Sequence, residues 1–238
     1  MREPSLSQPD LEFFNAQGYL QLKGFHPRAR MGGISKNILE QLKRINIWAS
    51  GKSLPHALHG LPPFQQIARL SSLIKVAGLH DALITPHLSS IVAGLAGSAP
   101  STPQDTQLLL SLPKQGTWTL EGLNWHVDVG SAPLARLPGI QAFVLLDDVL
   151  PHGGATLALA GSHRTGTRQT AAQPPLREVL RKTSDLETSL RTLGITLVEM
   201  SGQAGDVFLM DMRLLHTPSI NSTKHLRMMA TARFYLNH

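Results

Sequence analysis

Two residues near the middle of the chain have the types and spacing that suit a metal ion. His126 and Asp128 stand two apart in the mostly apolar segment "NWHVDVG". Residues i and i+2 of a strand point to the same face, so both side chains could reach one ion if this segment is extended. Such a pair also arises by chance in a chain with 11 histidines and 16 acidic residues. It therefore indicates a metal site only together with a third ligand.

A third ligand is available from a distant part of the sequence. His216 follows an apolar run and a turn in "DVFLMDMRLLHTPSIN", and a closed sheet could bring it beside the first pair. Two imidazoles and one carboxylate on one face of an ion leave octahedral positions open, which suits non-haem Fe(II) that activates oxygen. Zinc accepts the same ligands in catalytic sites, but the sequence has no HExxH-like segment. The residues therefore favour iron.

An arginine 11 residues after His216 could complete such a site. A bidentate 2-oxo acid would supply electrons to iron, and its distal carboxylate would need a cationic partner. In the alternating segment "LRMMATARFYL", Arg227 and Arg233 would share one strand face with Met229 and Thr231. A guanidinium can bind a carboxylate through two parallel charge-assisted hydrogen bonds. Arg227 is the first candidate for this role, and Arg233 is the competing one.

The elements that must position these residues are predicted to be mainly strands. After residue 104 the chain has short apolar or alternating runs separated by glycine and proline, a pattern typical of a β-sandwich or barrel. The runs are "TQLLLSL", "LNWHVDV", "IQAFVLL", "ATLALA", "ITLVEM", "DVFLM" and "LRMMATARFYL". The candidate metal ligands and Arg227 all lie in or directly after these runs.

The first third of the chain is predicted to be largely helical. A short helix should end at Gly18, with a strand from about Tyr19, and apolar spacings of three and four predict helices over 34–48 and 79–95. A further helix, about 175–193, should lie within an insertion of residues 165–194 over one mouth of the barrel, where it could act as a lid. We expect a single domain over 1–238, with a helical part of about 1–100 and a β core of about 105–238.

Composition excludes several other kinds of site. The chain has no cysteine, which rules out disulfides, zinc–thiolate sites, iron–sulfur clusters and thiol nucleophiles. Its net charge is +6, but the 22 lysines and arginines are scattered, which argues against nucleic-acid binding. We expect a cytoplasmic protein without membrane association, because no secretory signal and no run near ~20 apolar residues is present. The sequence leaves open whether it is a monomer or a homodimer.

Four motifs in order resemble the phytanoyl-CoA dioxygenase-like family of Fe(II)/2-oxoglutarate-dependent oxygenases. An opening helix and strand are followed by an H-x-D segment, a Gly-Gly turn with a strand and a Gly-Ser-His turn, and a closing Gly-Asp strand with a distal His, an Asn and an Arg. They are "FFNAQGYLQLKGF", "NWHVDVG", "GGATLALAGSHRTG" and "GQAGDVFLMDMRLLHTPSINSTKHLRMMATARFY". Together they span most of the chain.

The resemblance implies a mainly β fold with flanking helices: a cupin-like double-stranded β-helix, or jelly roll, with N-terminal helices packed on the outer sheet. It further implies that His126, Asp128 and His216 bind Fe(II) and form the catalytic centre. Arg227 would hold the distal carboxylate of 2-oxoglutarate, and dioxygen would be the second co-substrate.

Weaker assignments follow from the same resemblance. Phe143 falls where the family commonly has an aromatic residue beside the co-substrate, and Gln107 lies near positions that often touch 2-oxoglutarate or substrate. Pro218 stands where several members have a serine that bonds the co-substrate, so that hydroxyl would have to come from Thr217, Ser219 or Thr156. Ala160 also departs from the family, which usually has proline before Gly-Ser-His.

The implied activity is oxidative decarboxylation of 2-oxoglutarate to succinate and CO₂, coupled to oxidation of a C–H bond in a small molecule. Hydroxylation is favoured because Asp128 keeps the carboxylate that halogenating members of the family lack. An amino acid, a natural-product intermediate or an acyl thioester could be the substrate. The alternative is a non-catalytic jelly-roll binding module with a vestigial metal site.

Overall fold

Short antiparallel strands form the centre of the molecule in a computed structural model, which describes residues 6–47, 61–101, 103–129, 136–164, 176–182 and 186–236. The strands are β1 (Tyr19–Leu22), β2 (Gln107–Ser111), β3 (Gly139–Leu145), β4 (Thr156–Ala160), β5 (Thr196–Glu199), β6 (Val207–Asp211), β7 (His216–Pro218) and β8 (Arg227–Tyr235).

These strands form two sheets. The larger has the order β1-β6-β3-β8-β2 and the smaller the order β5-β4-β7, and every pair of neighbours is antiparallel. Neighbours in space are mostly distant in sequence, as in a chain that winds back and forth between two sheets. The prediction of a mainly β, jelly-roll fold with flanking helices is confirmed.

Alternate residues of the larger sheet face two different cores. On β3, Phe143 and Leu145 pack between the two sheets, whereas Ala142 and Val144 pack against helices on the outer face. Successive side chains of a strand point to opposite sides, so a strand covered on both faces is apolar throughout. The inner face is the one that can carry a site.

The helices of the described residues lie mainly before β2, and none of them has the length and apolarity needed to cross a lipid bilayer. They are α1 (Gln8–Gln17), α2 (Arg28–Arg44), α3 (Pro63–Ser72), α4 (Leu79–Leu83), α5 (Pro86–Ala96), α6 (Leu176–Lys182) and α7 (Leu186–Thr192). As predicted, α1 ends at Gly18, which has φ 79°, and β1 follows directly. A capping box of Ser7 and Asp10 starts α1.

Two helix predictions need correction. The helix expected over 34–48 begins earlier and ends at Arg44, and Trp48 lies outside the described residues. The helix expected over 79–95 is divided into α4 and α5. Thr85 caps α5 by accepting a hydrogen bond from the Leu88 amide, and Pro86 takes the first helical position, where its missing N–H costs nothing.

The described part of the insertion of residues 165–194 packs against the smaller sheet, and its placement over the barrel mouth as a lid stays a prediction. Its described residues form the helices α6 and α7, and residues 165–175 and 183–185 lie outside the described residues. Leu176 and Leu190 pack with Leu159 and Leu215 on the outer face of the smaller sheet. The amphipathic pattern of this insertion is therefore explained by a helix–sheet core.

Gly205, just before β6, is predicted to be required for stability. Its φ is +96°, and a Cβ there would overlap the backbone carbonyl of His26, whose amide bonds the Gly205 carbonyl at 2.9 Å. Gly97 also has positive φ, +68°, but with nothing within 4 Å. Gly97→Ala should cost about 1 kcal/mol of unfolding free energy and Gly205→Ala about 3 kcal/mol or more, measured by urea denaturation. Equal losses would show that the contact with His26 is unimportant.

Candidate metal centre

Three side chains from distant parts of the sequence converge between the sheets. The ligand atoms of His126, Asp128 and His216 all lie within 4.8 Å of one another. His216 Nε2 is 3.9 Å from Asp128 Oδ2, and the two imidazole rings have their centroids 4.4 Å apart. This is a separation at which one ion could contact all three.

The H-x-D segment is held by a single backbone bridge. The His126 amide donates to the His216 carbonyl at 3.0 Å, and the His216 amide donates back at 2.9 Å. The regular strand predicted over 123–129 is wrong, because the ladder cannot continue on either side of this bridge. Pro218 has no N–H for the next pair, and the Leu214 amide already bonds Asp211.

The backbone also sets the proton position on both histidines. Nδ1 of His126 lies 2.9 Å from the Asn124 carbonyl, and Nδ1 of His216 lies 3.1 Å from the Leu214 carbonyl. A carbonyl oxygen only accepts, so each Nδ1 carries the hydrogen and each Nε2 is left as a free lone pair. Burial lowers the pKa of His216 to about 4, which keeps this imidazole neutral at neutral pH. Neutral imidazole is the metal-binding form.

Asp128 is held by an arginine that projects from β8. Arg233 Nε donates to Asp128 Oδ2 at 3.2 Å, and Arg233 Nη2 donates to Oδ1 at 3.4 Å. Both side chains are mostly buried. Arg233, the competing candidate for the co-substrate carboxylate, thus contacts the carboxylate of a candidate metal ligand.

Arg227 is a buried cation without a carboxylate partner among the described residues. One of its terminal nitrogens, Nη1, donates to the Leu109 carbonyl at 3.1 Å, while its Nε has no hydrogen-bond partner. Burial lowers the pKa of the guanidinium to about 9, so Arg227 remains charged at neutral pH. An isolated buried charge is costly, so an anion bound beside Arg227 would offset part of this cost.

A single cavity of about 1050 Å³ joins the three ligands to Arg227. Phe143 is buried on the inner face of β3, with its ring centroid 6.4 Å from that of His216. Thr156 is buried at the start of β4, and Gln107 is exposed at the start of β2. All three line the cavity.

Of the three hydroxyls considered as substitutes for the family serine, Thr156 alone lines this cavity. The Thr217 hydroxyl donates to the Pro218 carbonyl at 3.2 Å, and the Ser219 hydroxyl donates to the Ala155 carbonyl at 2.8 Å. Both of these hydroxyls are thus occupied by backbone. Thr156 is the remaining candidate.

Sequence reasoning missed one wall of the cavity. Phe64 and Ile67 of α3 line it, and the Phe64 ring centroid is 6.4 Å from that of His126. Phe64 is 51% exposed, unusual for a large apolar side chain this close to a polar centre. Pro63 at the helix start and the apolar spacing in "PFQQIARL" indicate a helix, but nothing in that pattern says that it faces the ligands.

Comparison with known proteins agrees with this geometry. A family model described as phytanoyl-CoA dioxygenase matches residues 14–229. No curated protein gives a significant match.

Solved structures resemble the chain in fold. AviO1 from Streptomyces viridochromogenes Tue57 has a TM-score of 0.62 at 19% identity, with 98% of this chain and 96% of AviO1 covered. SnoK, a non-heme alpha-ketoglutarate-dependent carbocyclase from nogalamycin biosynthesis, has a TM-score of 0.60 at 22% identity, with coverages of 97% and 84%. The epimerase SnoN in complex with Fe³⁺, alpha-ketoglutarate and nogalamycin RO has a TM-score of 0.58 at 18% identity, with coverages of 96% and 82%.

At such low identities the solved structures support the fold alone. The family model matches most of the chain, from α1 into β8, and the matched range includes the His126–Asp128 segment, His216 and Arg227. The chain therefore belongs to the phytanoyl-CoA dioxygenase family.

Proposed function

We propose that the chain is an Fe(II)- and 2-oxoglutarate-dependent dioxygenase that oxidises a C–H bond of a small molecule, with succinate and CO₂ as co-products. The observation that carries this proposal is one cavity that contains both the His126, Asp128 and His216 cluster and the buried cation of Arg227. A cluster of metal ligands by itself is compatible with many reactions. An unpaired cation beside it calls for an anionic co-substrate.

The donor set fits a ferrous ion. Two imidazoles that bind through Nε2 and one carboxylate are the ligands that non-haem Fe(II) sites use. Neither ring has to turn before it binds, because each Nδ1–H is already held by a carbonyl. When bound, iron would supply the activation of dioxygen that is coupled to decarboxylation of 2-oxoglutarate.

The surroundings of Arg227 fit a dicarboxylate. Its guanidinium would bind the distal carboxylate of 2-oxoglutarate and would gain the charge partner that the described residues do not provide. We assign Phe143 and Thr156 to contacts along the bound co-substrate, and Gln107 to the mouth of the cavity. Phe143, Leu145, Met210 and Met229 form an apolar core between the sheets that would keep water from the co-substrate side of the site.

The remaining space suits a small organic substrate. A cavity of about 1050 Å³ is at the upper end of the range for ligand sites, roughly 300–1,000 Å³. This leaves room for a substrate beside 2-oxoglutarate, against the α3 wall that contains Phe64. SnoK and SnoN are described as enzymes from nogalamycin biosynthesis, which favours a natural-product intermediate among the substrates considered.

Hydroxylation is the proposed outcome, because Asp128 fills the position of the third ligand. The described carbocyclase and epimerase activities of SnoK and SnoN belong to the same kind of fold, so the product must be identified directly. A product heavier than the substrate by one oxygen atom, by mass spectrometry, is the result that we expect. A product lighter by two hydrogens, or of unchanged mass, would instead indicate ring closure or epimerisation.

Purified protein supplied with Fe(II), ascorbate and 2-oxoglutarate is expected to release succinate slowly without substrate, and faster with a true substrate. Succinate is measured by chromatography, and protein with Mn(II) in place of Fe(II) serves as the inactive control. Protein that binds Fe(II) and 2-oxoglutarate but forms no succinate under any substrate condition would indicate the non-catalytic binding module. Protein that binds neither would refute the proposed dioxygenase and would leave the binding module, which need not recognise 2-oxoglutarate.

A further inference from the structure

Asp128 differs from the two histidines in how its side chain is held. Both imidazoles are oriented by carbonyls of residues two positions earlier, Asn124 and Leu214. Asp128 lies beyond the backbone bridge at His126 and outside any strand. Within the described part of the chain, both side-chain hydrogen bonds of Asp128 come from Arg233.

We propose that Arg233 is the positioning residue of the metal centre, which presents the Asp128 carboxylate to the ion and takes no part in holding 2-oxoglutarate. This inference rests on the proposed function, because it presupposes that Asp128 is a metal ligand. It assigns different roles to Arg227 and Arg233, which the sequence alone leaves as alternatives for binding the distal carboxylate of the co-substrate.

The position of Arg233 suits this role. At Arg233 the backbone of β8 is paired with β3 on one side, and on the other side, beyond the end of the β2 ladder at Thr231, the Arg233 carbonyl accepts a hydrogen bond from the Gln104 amide at 3.0 Å. Arg233 lies opposite Gln141 of β3 in the ladder. The side-chain amide of Gln141 donates to the Thr231 hydroxyl at 2.9 Å, and that hydroxyl donates to the Ala142 carbonyl at 2.9 Å. A guanidinium mounted on this paired strand can fix a carboxylate on a segment that has no ladder of its own.

Distance separates Arg233 from Arg227. The two residues are six positions apart on the same face of β8, which corresponds to about 20 Å between their Cα atoms in an extended strand. Arg227 is engaged with the Leu109 carbonyl at 3.1 Å, and Arg233 is engaged with Asp128. One short dicarboxylate has no need of both cations.

The carboxylate can serve the ion and the arginine together. An ionised carboxylate has about four lone-pair sites, of which Arg233 would use two and a metal ion one. The positive charge of Arg233 would repel a metal cation, which opposes metal binding, but its two hydrogen bonds also fix the orientation of the carboxylate, which favours metal binding. Loss of hydrogen-bond partners of metal ligands typically weakens metal binding about 10- to 100-fold, so orientation is expected to dominate.

The test compares metal and co-substrate affinities in Arg233→Gln and Arg233→Lys. Mn(II) is titrated calorimetrically without 2-oxoglutarate, and 2-oxoglutarate is then titrated at saturating Mn(II). Arg213→Gln is the matched control, because Arg213 forms an ion pair with Asp211 at 2.6 Å and neither residue lines the cavity. Circular dichroism verifies that each variant is folded.

We expect Arg233→Gln to bind Mn(II) about 10- to 100-fold more weakly, with unchanged 2-oxoglutarate affinity once Mn(II) is saturating. Arg233→Lys should fall between Arg233→Gln and wild type, because an ammonium keeps the charge but cannot bond both carboxylate oxygens as a planar fork. The control should bind both ligands like wild type.

Two results would overturn the inference. Mn(II) affinity of Arg233→Gln equal to or above that of wild type would mean that Arg233 competes with the metal. Lost 2-oxoglutarate affinity with normal Mn(II) affinity would make Arg233 the co-substrate cation. If Arg233→Gln does not fold, Arg233→Lys decides by the same two titrations. Wild-type protein that binds no Mn(II) would instead refute the proposed function.

Discussion

His216→Ala is expected to abolish succinate formation and to weaken Mn(II) or Fe(II) binding by more than ~100-fold, since loss of a partner of a ligand alone can cost that much. His216 is the most buried of the three ligands, and its backbone also bridges to His126. Alanine keeps this bridge, because only main-chain atoms form it. The loss should therefore come from the missing imidazole and not from a displaced H-x-D segment.

The matched control for this prediction is His225→Ala. His225 lies on the loop between β7 and β8, its side chain is exposed, and it does not line the cavity. It should keep wild-type metal affinity and succinate release, both measured as for His216→Ala. Full Mn(II) affinity in a folded His216→Ala protein would show that the metal binds elsewhere.

The convergence of the three ligands follows from features that the sequence displays. Strand alternation and the apolar runs place His126 and Asp128 together, and the run before His216 marks the return of the chain to the same region. In the structure His126 and Asp128 nevertheless lie side by side without forming a regular strand. The backbone pairing at His126 is limited to one bridge by Pro218 and by the hydrogen bond of the Leu214 amide to Asp211. Both features belong to the segment around His216, so the H-x-D segment alone does not reveal them.

One helix boundary had a sequence signal that the helix prediction did not use, and two contacts of the site could not be predicted from the sequence. Thr85 followed by Pro86 is a helix-start signal, and it divides the predicted helix over 79–95. Alternation assigns Arg227 and Arg233 to one face of β8, but it cannot say which of them meets Asp128, because that depends on a contact over 105 residues of sequence. The position of α3 beside the metal ligands could not be predicted either, because a helical sequence pattern does not reveal which part of the fold the helix covers.

Arg227→Met is expected to have opposite effects on stability and on co-substrate binding. In the absence of 2-oxoglutarate, Arg227 is a fully buried cation whose Nε has no partner. An apolar side chain of similar length removes this buried charge and its desolvation cost, which outweighs the lost hydrogen bond to the Leu109 carbonyl. We therefore expect the midpoint of thermal unfolding of the metal-free protein to stay the same or to rise.

Binding of 2-oxoglutarate should be lost in the same variant. A buried carboxylate deprived of its cation costs roughly 3–5 kcal/mol, which corresponds to at least ~100-fold weaker binding. Wild-type protein with Mn(II) should unfold at a higher temperature when 2-oxoglutarate is added, and Arg227→Met should not, although its Mn(II) affinity is retained. Arg227→Lys keeps the charge without the fork and should bind with intermediate affinity. If metal-free Arg227→Met is less stable than wild type and still binds 2-oxoglutarate, Arg227 is a structural residue. If the variant is more stable and no longer binds 2-oxoglutarate, the charge of Arg227 is kept for its ligand.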